Sequence, residues 1–358
     1  MTTSDRLLVT VGLLLACGFL LLVAIFAPSL IRLMGALHAP TPDVVGTFRA
    51  LVPSGSPAPI RETAPAAATL PGLLPSSIPS PAAGRPGGHI VWTCQIFKDM
   101  GSEQICVMNP DGSGFRRLTT EDGLRHYYPS LAPDGKSVVY SQFREVNVFE
   151  IYEMDLLTGT PRRLTDRLGV LNAPEISPDG KRIVFTCWTV ESDQDQVWVM
   201  SREGGNPHPL FQGDGWDPTW SPDGTKILFA SDRGGLTQLY IGNLDGSNVH
   251  RISNLPSLRG RSDWSSENLI ATYSGEAWGR NIFVMNADGS NAREISPPHG
   301  NSQGPSFSPD GKWIAFTGYY DHFNDINGCE IYIMRTDGSD LSRLTDNDYC
   351  DYQPRWGP

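Results

Sequence analysis

The sequence predicts an all-β fold: a six-bladed β-propeller of four-stranded antiparallel blades, closed by one C-terminal plus three N-terminal strands and preceded by one transmembrane helix and a disordered linker. Three observations carry this expectation. One twelve-residue phrase returns from Pro129 onward at intervals of 45, 44, 44 and 43 residues. A second phrase, a strand running into an Asp-Gly-Ser turn, alternates with it. The two ends of the repeat region hold complementary fragments of a single unit.

The first phrase reads PSLAPDGKSVVY at 129–140, PEISPDGKRIVF at 174–185, PTWSPDGTKILF at 218–229, a degenerate SDWSSENLIATY at 262–273 and PSFSPDGKWIAF at 305–316. The second reads ICVMNPDGSG at 105–114, LYIGNLDGSN at 239–248, IFVMNADGSN at 282–291 and IYIMRTDGSD at 331–340, each followed by a short strand ending in Leu-Thr or Ile-Ser. Pro-Asp-Gly and Asp-Gly-Ser supply the positive φ and the Asx hydrogen bonds that close hairpins, so each repeat is read as four short antiparallel strands. Runs such as Ile183 to Phe185 and Leu239 to Ile241, rich in β-branched and aromatic side chains, suit strands packed on both faces. Trp220, Trp264, Phe307 and Trp356 recur two places after the leading Pro or its equivalent, where they should fill the space between neighbouring sheets. Residues 89–119 lack the first strand of a unit, and Gln353 to Trp356 is a first strand with nothing after it. Five whole blades plus one shared between the ends make six, and closure removes an exposed sheet edge.

Of 358 residues, 39% are hydrophobic and 19% charged, with 37 Gly and 29 Pro, which excludes a wholly disordered chain, a collagen and a coiled coil. Beyond residue 88 there are 23 basic and 36 acidic residues, a net charge of −13. Such a body repels a phosphate backbone and an anionic lipid surface, so nucleic acid and peripheral membrane binding are disfavoured. No charged residue occurs from Leu7 to Ala27, and 21 helical residues span about 31 Å, the thickness of a bilayer's hydrocarbon core. Residues 1–34 are therefore read as an uncleaved membrane anchor. The competing readings are a cleaved signal peptide led by Arg6 and a lipobox-like Leu14-Leu-Ala-Cys17, but the apolar run continues past Cys17. Residues 35–88 are read as a Pro/Ala-rich linker, since 38–88 contain eleven Pro, nine Ala, six Gly and five Ser and cannot bury enough apolar surface to offset ordering. Residues 89–358 are the propeller, expected on the extracytoplasmic side of the cell membrane.

Five of the six Cys lie in the propeller region. Cys94 and Cys106 flank a short excursion between two consecutive strands, and Cys329 and Cys350 lie in loops that the fold places on one face. Bridges there would imply an oxidising compartment, with Cys187 left free. The alternative is that all five are small buried hydrophobes.

The Ser-Pro-Asp-Gly-Lys and Asn-x-Asp-Gly-Ser phrases resemble the Pro-Asp propeller repeats of the TolB C-terminal domain family, over all of 89–358. The resemblance implies a periplasmic protein-interaction propeller. The separate N-terminal α/β domain of that family has no counterpart here, where an anchor and a tether stand instead. Propellers of prolyl-oligopeptidase-type enzymes are also similar, but the α/β-hydrolase domain that carries their chemistry is not expected in this sequence. His-Glu-x-x-His and Cys-x-x-Cys motifs are absent.

The aspartates Asp134, Asp179, Asp223 and Asp310, and Asp111, Asp245, Asp288 and Asp337, each precede Gly in a hairpin turn and are assigned to turn formation rather than to calcium. Asp321, Asn324, Asp325, Asn327 and Glu330 form a denser oxygen cluster in the longest interstrand excursion, without the regular spacing of a calcium loop. The loops leading into each first strand converge on one mouth of the central channel. They bring there the candidate binding residues Tyr127, Tyr128, Asn172, Trp216, Asp217, Gln303, Tyr352 and Gln353, with His126, His299, Asp321 and His322 beside them. Aromatic, amide and acidic side chains around a funnel suit a peptide segment or a sugar. Some propellers resembling this group are metal-dependent oligogalacturonate lyases with His and Gln ligands at this mouth, which would make His126, His299, His322 and Gln303 a manganese set. No regular spacing supports that set. The expectation is a monomeric, non-enzymatic module that binds a protein or peptide without cofactor or metal. The alternative is a carbohydrate-binding or metal-dependent, lyase-like enzyme using the same mouth.

Overall fold

Each Asp-Gly turn is closed by the same local bonds. The Oδ1 atoms of Asp111, Asp179 and Asp245 accept from the backbone N–H of Ser113, Lys181 and Ser247 at 3.0, 3.1 and 2.9 Å. The glycine that follows takes the left-handed conformation the turn requires, as at Gly180 with φ 71°. In the computed structural model, which describes residues 86–97, 102–121, 123–298, 300–321 and 325–358, these turns join the strands into six four-stranded antiparallel sheets. The expected anchor, and the linker up to residue 85, lie outside the described residues. Among the described residues no helix is long and apolar enough to cross a membrane.

Blade 1 contains β1 (His89–Gln95), β2 (Glu103–Met108) and β3 (Arg116–Arg117). Blade 2 is β4 (His126–Leu131), β5 (Ser137–Glu145), β6 (Val148–Asp155) and β7 (Pro161–Arg163). Blade 3 is β8 (Val170–Ile176), β9 (Arg182–Trp188), β10 (Asp195–Ser201) and β11 (His208–Pro209). Blade 4 is β12 (Trp216–Trp220), β13 (Lys226–Ser231), β14 (Gln238–Asn243) and β15 (His250–Arg251). Blade 5 is β16 (Leu258–Trp264), β17 (Leu269–Ser274), β18 (Asn281–Asn286) and β19 (Arg293–Glu294). Blade 6 is β20 (Ser302–Phe307), β21 (Trp313–Gly318), β22 (Glu330–Arg335) and β23 (Ser342–Arg343). The last strand, β24 (Asp351–Gly357), then completes blade 1 by pairing with β1.

That pairing runs antiparallel, with Cys94 opposite Asp351, Thr93 opposite Tyr352, Ile90 opposite Trp356 and His89 opposite Gly357. Side chains reinforce it. Trp92 Nε1 donates to Asp351 Oδ1 at 2.8 Å, and Trp356 Nε1 donates to the Gly87 carbonyl at 2.9 Å. Both Cys94–Cys106 and Cys329–Cys350 are disulfides, and Cys187 is free and buried. The second bridge spans 21 residues of chain and ties the start of β22 to the start of β24, where closing such a loop stabilises by about 3 kcal/mol.

The recurring Leu-Thr and Ile-Ser phrases now have a cause. The hydroxyls of Thr119, Thr165, Ser253, Ser296 and Thr345 accept from the N–H of Ile105, Ile151, Leu239, Ile282 and Ile331 at 2.8 to 3.0 Å. Each bond fastens the loop to the next blade onto the third strand of its own. Between blades, Trp220, Phe307 and Trp356 are buried as expected, whereas Trp264 is only half-buried. The degenerate copy departs in register. Trp264 pairs with Ile270, where Trp220 pairs with Ile227 and Phe307 with Ile314, so its turn is one residue shorter. Thr272 rather than Tyr273 therefore stands where Phe229 and Phe316 fill the other blades.

Removing residues 352–358 would strip β24 from β1 and expose a sheet edge, and a sharp fall in melting temperature is expected. An unchanged melting curve would refute the closure. Burial pushes the Asp351 carboxyl up to about 7, against donors from Trp92 and Asn347 and with Glu330 nearby. Because the folded-state value lies above the unfolded one, this group's contribution is full below about pH 4 and lost as pH rises through 7. Protonation of this carboxyl in the folded state corresponds to on the order of 4 kcal/mol across that window. Asp351→Asn should flatten the stability profile across that window, as read by denaturant unfolding at stepped pH.

Candidate functional site

The innermost strands share a backbone irregularity that shapes the channel. In every blade the strand carries a bulge at the residue before the leading Pro or its equivalent, Ser262 in blade 5. Tyr128, Ala173, Asp217, Arg261, Gly304 and Gln353 all have positive φ there, between 34° and 57°. For a non-glycine residue this conformation costs about 1 kcal/mol or more. Proline brings no N–H to the interrupted ladder, and the bulge re-aims the side chains around it.

Three of the candidate residues meet through one that the sequence reading did not single out. Arg261 crosses the channel from blade 5, with its guanidinium 4.9 Å from the centroid of the Tyr128 ring and donating to the Gln353 carbonyl at 3.3 Å. Its backbone N–H donates to Asp217 Oδ2 at 2.9 Å. Gln353 Oε1 accepts from the Tyr128 N–H at 3.1 Å and from Thr93 Oγ1 at 2.9 Å. Trp216 stands beside Asp217 over Gly260, where a Cβ would collide with the indole Nε1 and with Asp217 Oδ2. Burial lowers the Arg261 guanidinium to about 10, with Arg355 adding to the effect, so it stays charged at neutral pH.

The other candidates are placed apart from this group. Tyr127 is buried between blades, its hydroxyl donating at 3.0 Å to Glu103 Oε2, which also accepts from Arg125. Asn172 is buried on β8, Gln303 is half-buried on β20, and Tyr352 is half-buried beside the Cys329–Cys350 bridge. The positions that keep access from the mouth are Trp216, Asp217, Gln303, Tyr352 and Gln353. His126 is fully buried against Tyr140, with Nε2 3.7 Å from Glu121, and burial lowers its ring to about 4. His299, His322 and Asn324 lie outside the described residues. Glu330 turns into its blade and accepts from Thr345 Oγ1 and the Asn347 N–H. Among the described residues no group of three or more His, Cys, Asp or Glu side chains is placed to hold a metal ion.

Deeper in the channel, the residue after each leading Pro or its equivalent makes a second layer. Blades 2, 4 and 6 contribute the hydroxyls of Ser130, Thr219 and Ser306, and blades 1, 3 and 5 contribute Arg355, Glu175 and Asp263. Arg355 lies 3.4 Å from both Glu175 Oε2 and Asp263 Oδ1 and donates to the Ser262 carbonyl. Glu175 Oε1 accepts from Thr219 Oγ1 and the Trp220 N–H, and Asp263 Oδ2 accepts from Ser306 Oγ and the Phe307 N–H. Burial pushes the Glu175 carboxyl up, opposed by Arg355. The layer is a cross-brace between alternate blades and a charged floor beneath the mouth. Its signal in the sequence was available, since all of its members occupy one column of the repeat.

Residues 88–277, more than half of the chain, match the TolB beta propeller domain family. The chain belongs to this family. A TolB structure from Acinetobacter baumannii is 24% identical with a TM-score of 0.67, covering 77% of this chain and 68% of that one. The Tol-Pal system protein TolB of Wolinella succinogenes is 24% identical over 215 residues, 56% of this chain and 49% of that protein. An uncharacterized protein of Agrobacterium fabrum, Atu1656, is 32% identical over 168 residues, 44% of this chain and 55% of that protein. The chain thus spans about half the length of these two curated relatives.

In this TolB-family propeller, Arg355→Met should leave two carboxylates without their shared cation and destabilise by about 3 kcal/mol. The triple change Arg355→Met, Glu175→Gln, Asp263→Asn should recover most of that loss. If urea unfolding shows Arg355→Met to be neutral, the cross-brace does not contribute to stability.

Proposed function

We propose that this protein is an extracytoplasmic propeller that binds a protein or peptide across the channel mouth, without catalysis of its own, and is tethered to the cell membrane by its N-terminal segment. The observation that carries the reading is the distribution of exposed apolar side chains. Phe97, Val146, Val190, Leu236 and Ile326 are 48 to 76% exposed, and each sits on the hairpin between the second and third strands of a different blade. All of these hairpins rise on the mouth face, around the group formed by Arg261, Tyr128, Asp217 and Gln353. Single exposed apolar residues are ordinary, but one on nearly every blade, ringing a polar bowl, has the form of a protein interface with apolar anchors around hydrogen-bonding groups. The opposite face carries Phe115, Leu157 and Leu341 on its turns.

The paired disulfides support the address, since such bonds persist in oxidising compartments.

Photo-crosslinking from the full-length protein in its native membrane tests the reading. A crosslinker at Leu236 or Val190 is expected to capture a reproducible protein partner, one at Leu157 is not, and Val190→Asp with Leu236→Asp should abolish the capture. Equal capture from both faces, or none from the mouth face, would overturn it.

A further inference from the structure

The shortened turn of blade 5 leaves a cleft that none of the features above uses. In blades 2, 3, 4 and 6 the turn after the first strand is bounded by a bond between residues five apart, such as Ser221 N–H to the Lys226 carbonyl at 2.9 Å. In blade 5 the matching bond joins Ser265 to the Leu269 carbonyl, four apart, at 2.8 Å. The neighbouring turns press on one another around the ring, with Gly224 against Pro178 and Gly311 against Ser266 and Glu267. Asn268, with φ 61°, stands where those turns have glycine. Between blades 4 and 5, on the face away from the mouth, there remains a cleft of about 540 Å³ walled by Trp264, Asp223, Asp288, Lys226, His250 and Asn268. This is the size class of small-ligand sites.

The walls have a definite chemistry. The counterparts Trp220, Phe307 and Trp356 are buried, but the Trp264 indole is half-open, and its Nε1 is fixed by a 3.0 Å bond to Asn268 Oδ1. Asp223 and Asp288 spend Oδ1 on their own turns, which holds both carboxyls below their ordinary range and leaves them acceptors at neutral pH. His250 Nδ1 donates to the Asn248 carbonyl at 2.8 Å, which leaves Nε2 as the ring nitrogen open to a ligand. Lys226 supplies a donor. Two carboxylates disfavour an anion, and Lys226 offsets one of their charges, so the walls offer both donors and acceptors. A ligand that fits must offer an apolar face to the indole and hydroxyls that both give and take hydrogen bonds around its edge.

We propose that the cleft between blades 4 and 5 is a binding site for a neutral pyranose sugar, its ring stacked on Trp264 and its hydroxyls shared among Asp223, Asp288, Lys226 and His250. The site lies on the turn face, so it stands or falls independently of partner binding at the mouth.

The test is titration of the full-length protein with methyl glucoside, methyl galactoside, N-acetylglucosamine, cellobiose, maltose and chitobiose, followed by saturation-transfer NMR. At least one is expected to bind, with Trp264→Ala weakening it about tenfold or more, in line with loss of an aromatic stacking surface. Asn268→Gly, which restores the repeat's usual residue and releases the indole, should weaken binding severalfold. If Trp264→Ala lowers the melting temperature, Asn268→Gly carries the comparison. Absence of binding by every sugar, binding indifferent to both substitutions, or preferential binding of arginine methyl ester or inorganic phosphate would overturn the proposal.

Discussion

Everything in this molecule depends on β24 lying between blade 6 and β1. A propeller has no single core. Its apolar contacts run between each sheet and the next, so a ring with one seam open leaves two unpartnered sheet faces and an unpaired strand edge. The seam is accordingly where different kinds of bond are concentrated: the ladder from Cys94 to Asp351 through His89 to Gly357, the indole bonds of Trp92 and Trp356, and the Cys329–Cys350 bridge. Asp351 is the exception within it, a carboxylate buried deeply enough to titrate near neutrality. That makes the seam sensitive to pH.

The same strand also supplies the centre of the channel. Arg355 belongs to β24, and its guanidinium joins Glu175 of blade 3 to Asp263 of blade 5. Closure therefore delivers the cation that two acidic residues need, and those residues are well placed only when the ring is shut. Burying unlike charges gives little net stability when compared with apolar packing, but each member becomes costly if left alone. Such a layer specifies one arrangement of blades more than it deepens the energy well. Above it, Arg261 performs a similar bridging role between blade 5 and the first two blades through Tyr128 and Gln353.

The two faces differ in chemistry because the strands' two kinds of connection differ. Most turn-face links are short Asp-Gly hairpins whose geometry leaves little room for variety. Mouth-face links vary more in length and carry the exposed apolar tips, while the bulged residues project inward from the innermost strands beside them. At the shortened turn from Ser265 to Leu269 the blade 6 turn still packs against Ser266 and Glu267, while a cleft lies on the blade 4 side.

Much of this was legible in the residues alone. The repeat spacing with its Asp-Gly turns determined four-stranded blades, and the complementary fragments at 89–119 and 353–356 determined the number of blades and the manner of closure, because turn conformation and strand alternation are local properties. Both disulfide pairs could be named as sensible partners for the same reason. Side-chain direction at the mouth could not be read in this way. Tyr127, Tyr128 and Asn172 are buried, and Gln353 bonds to residues hundreds of positions away, because a bulge with positive φ decides which of two adjacent side chains faces the channel. Nor could a one-residue shortening in SDWSSENLIATY be seen, since an ungapped comparison aligns Tyr273 with Phe229 while the strand register places Thr272 there. The sequence by itself determined the repeating unit and how many units close the ring. Only the tertiary structure decided which charges meet on the axis and where the ring gapes, since those depend on contacts between blades that no single repeat contains.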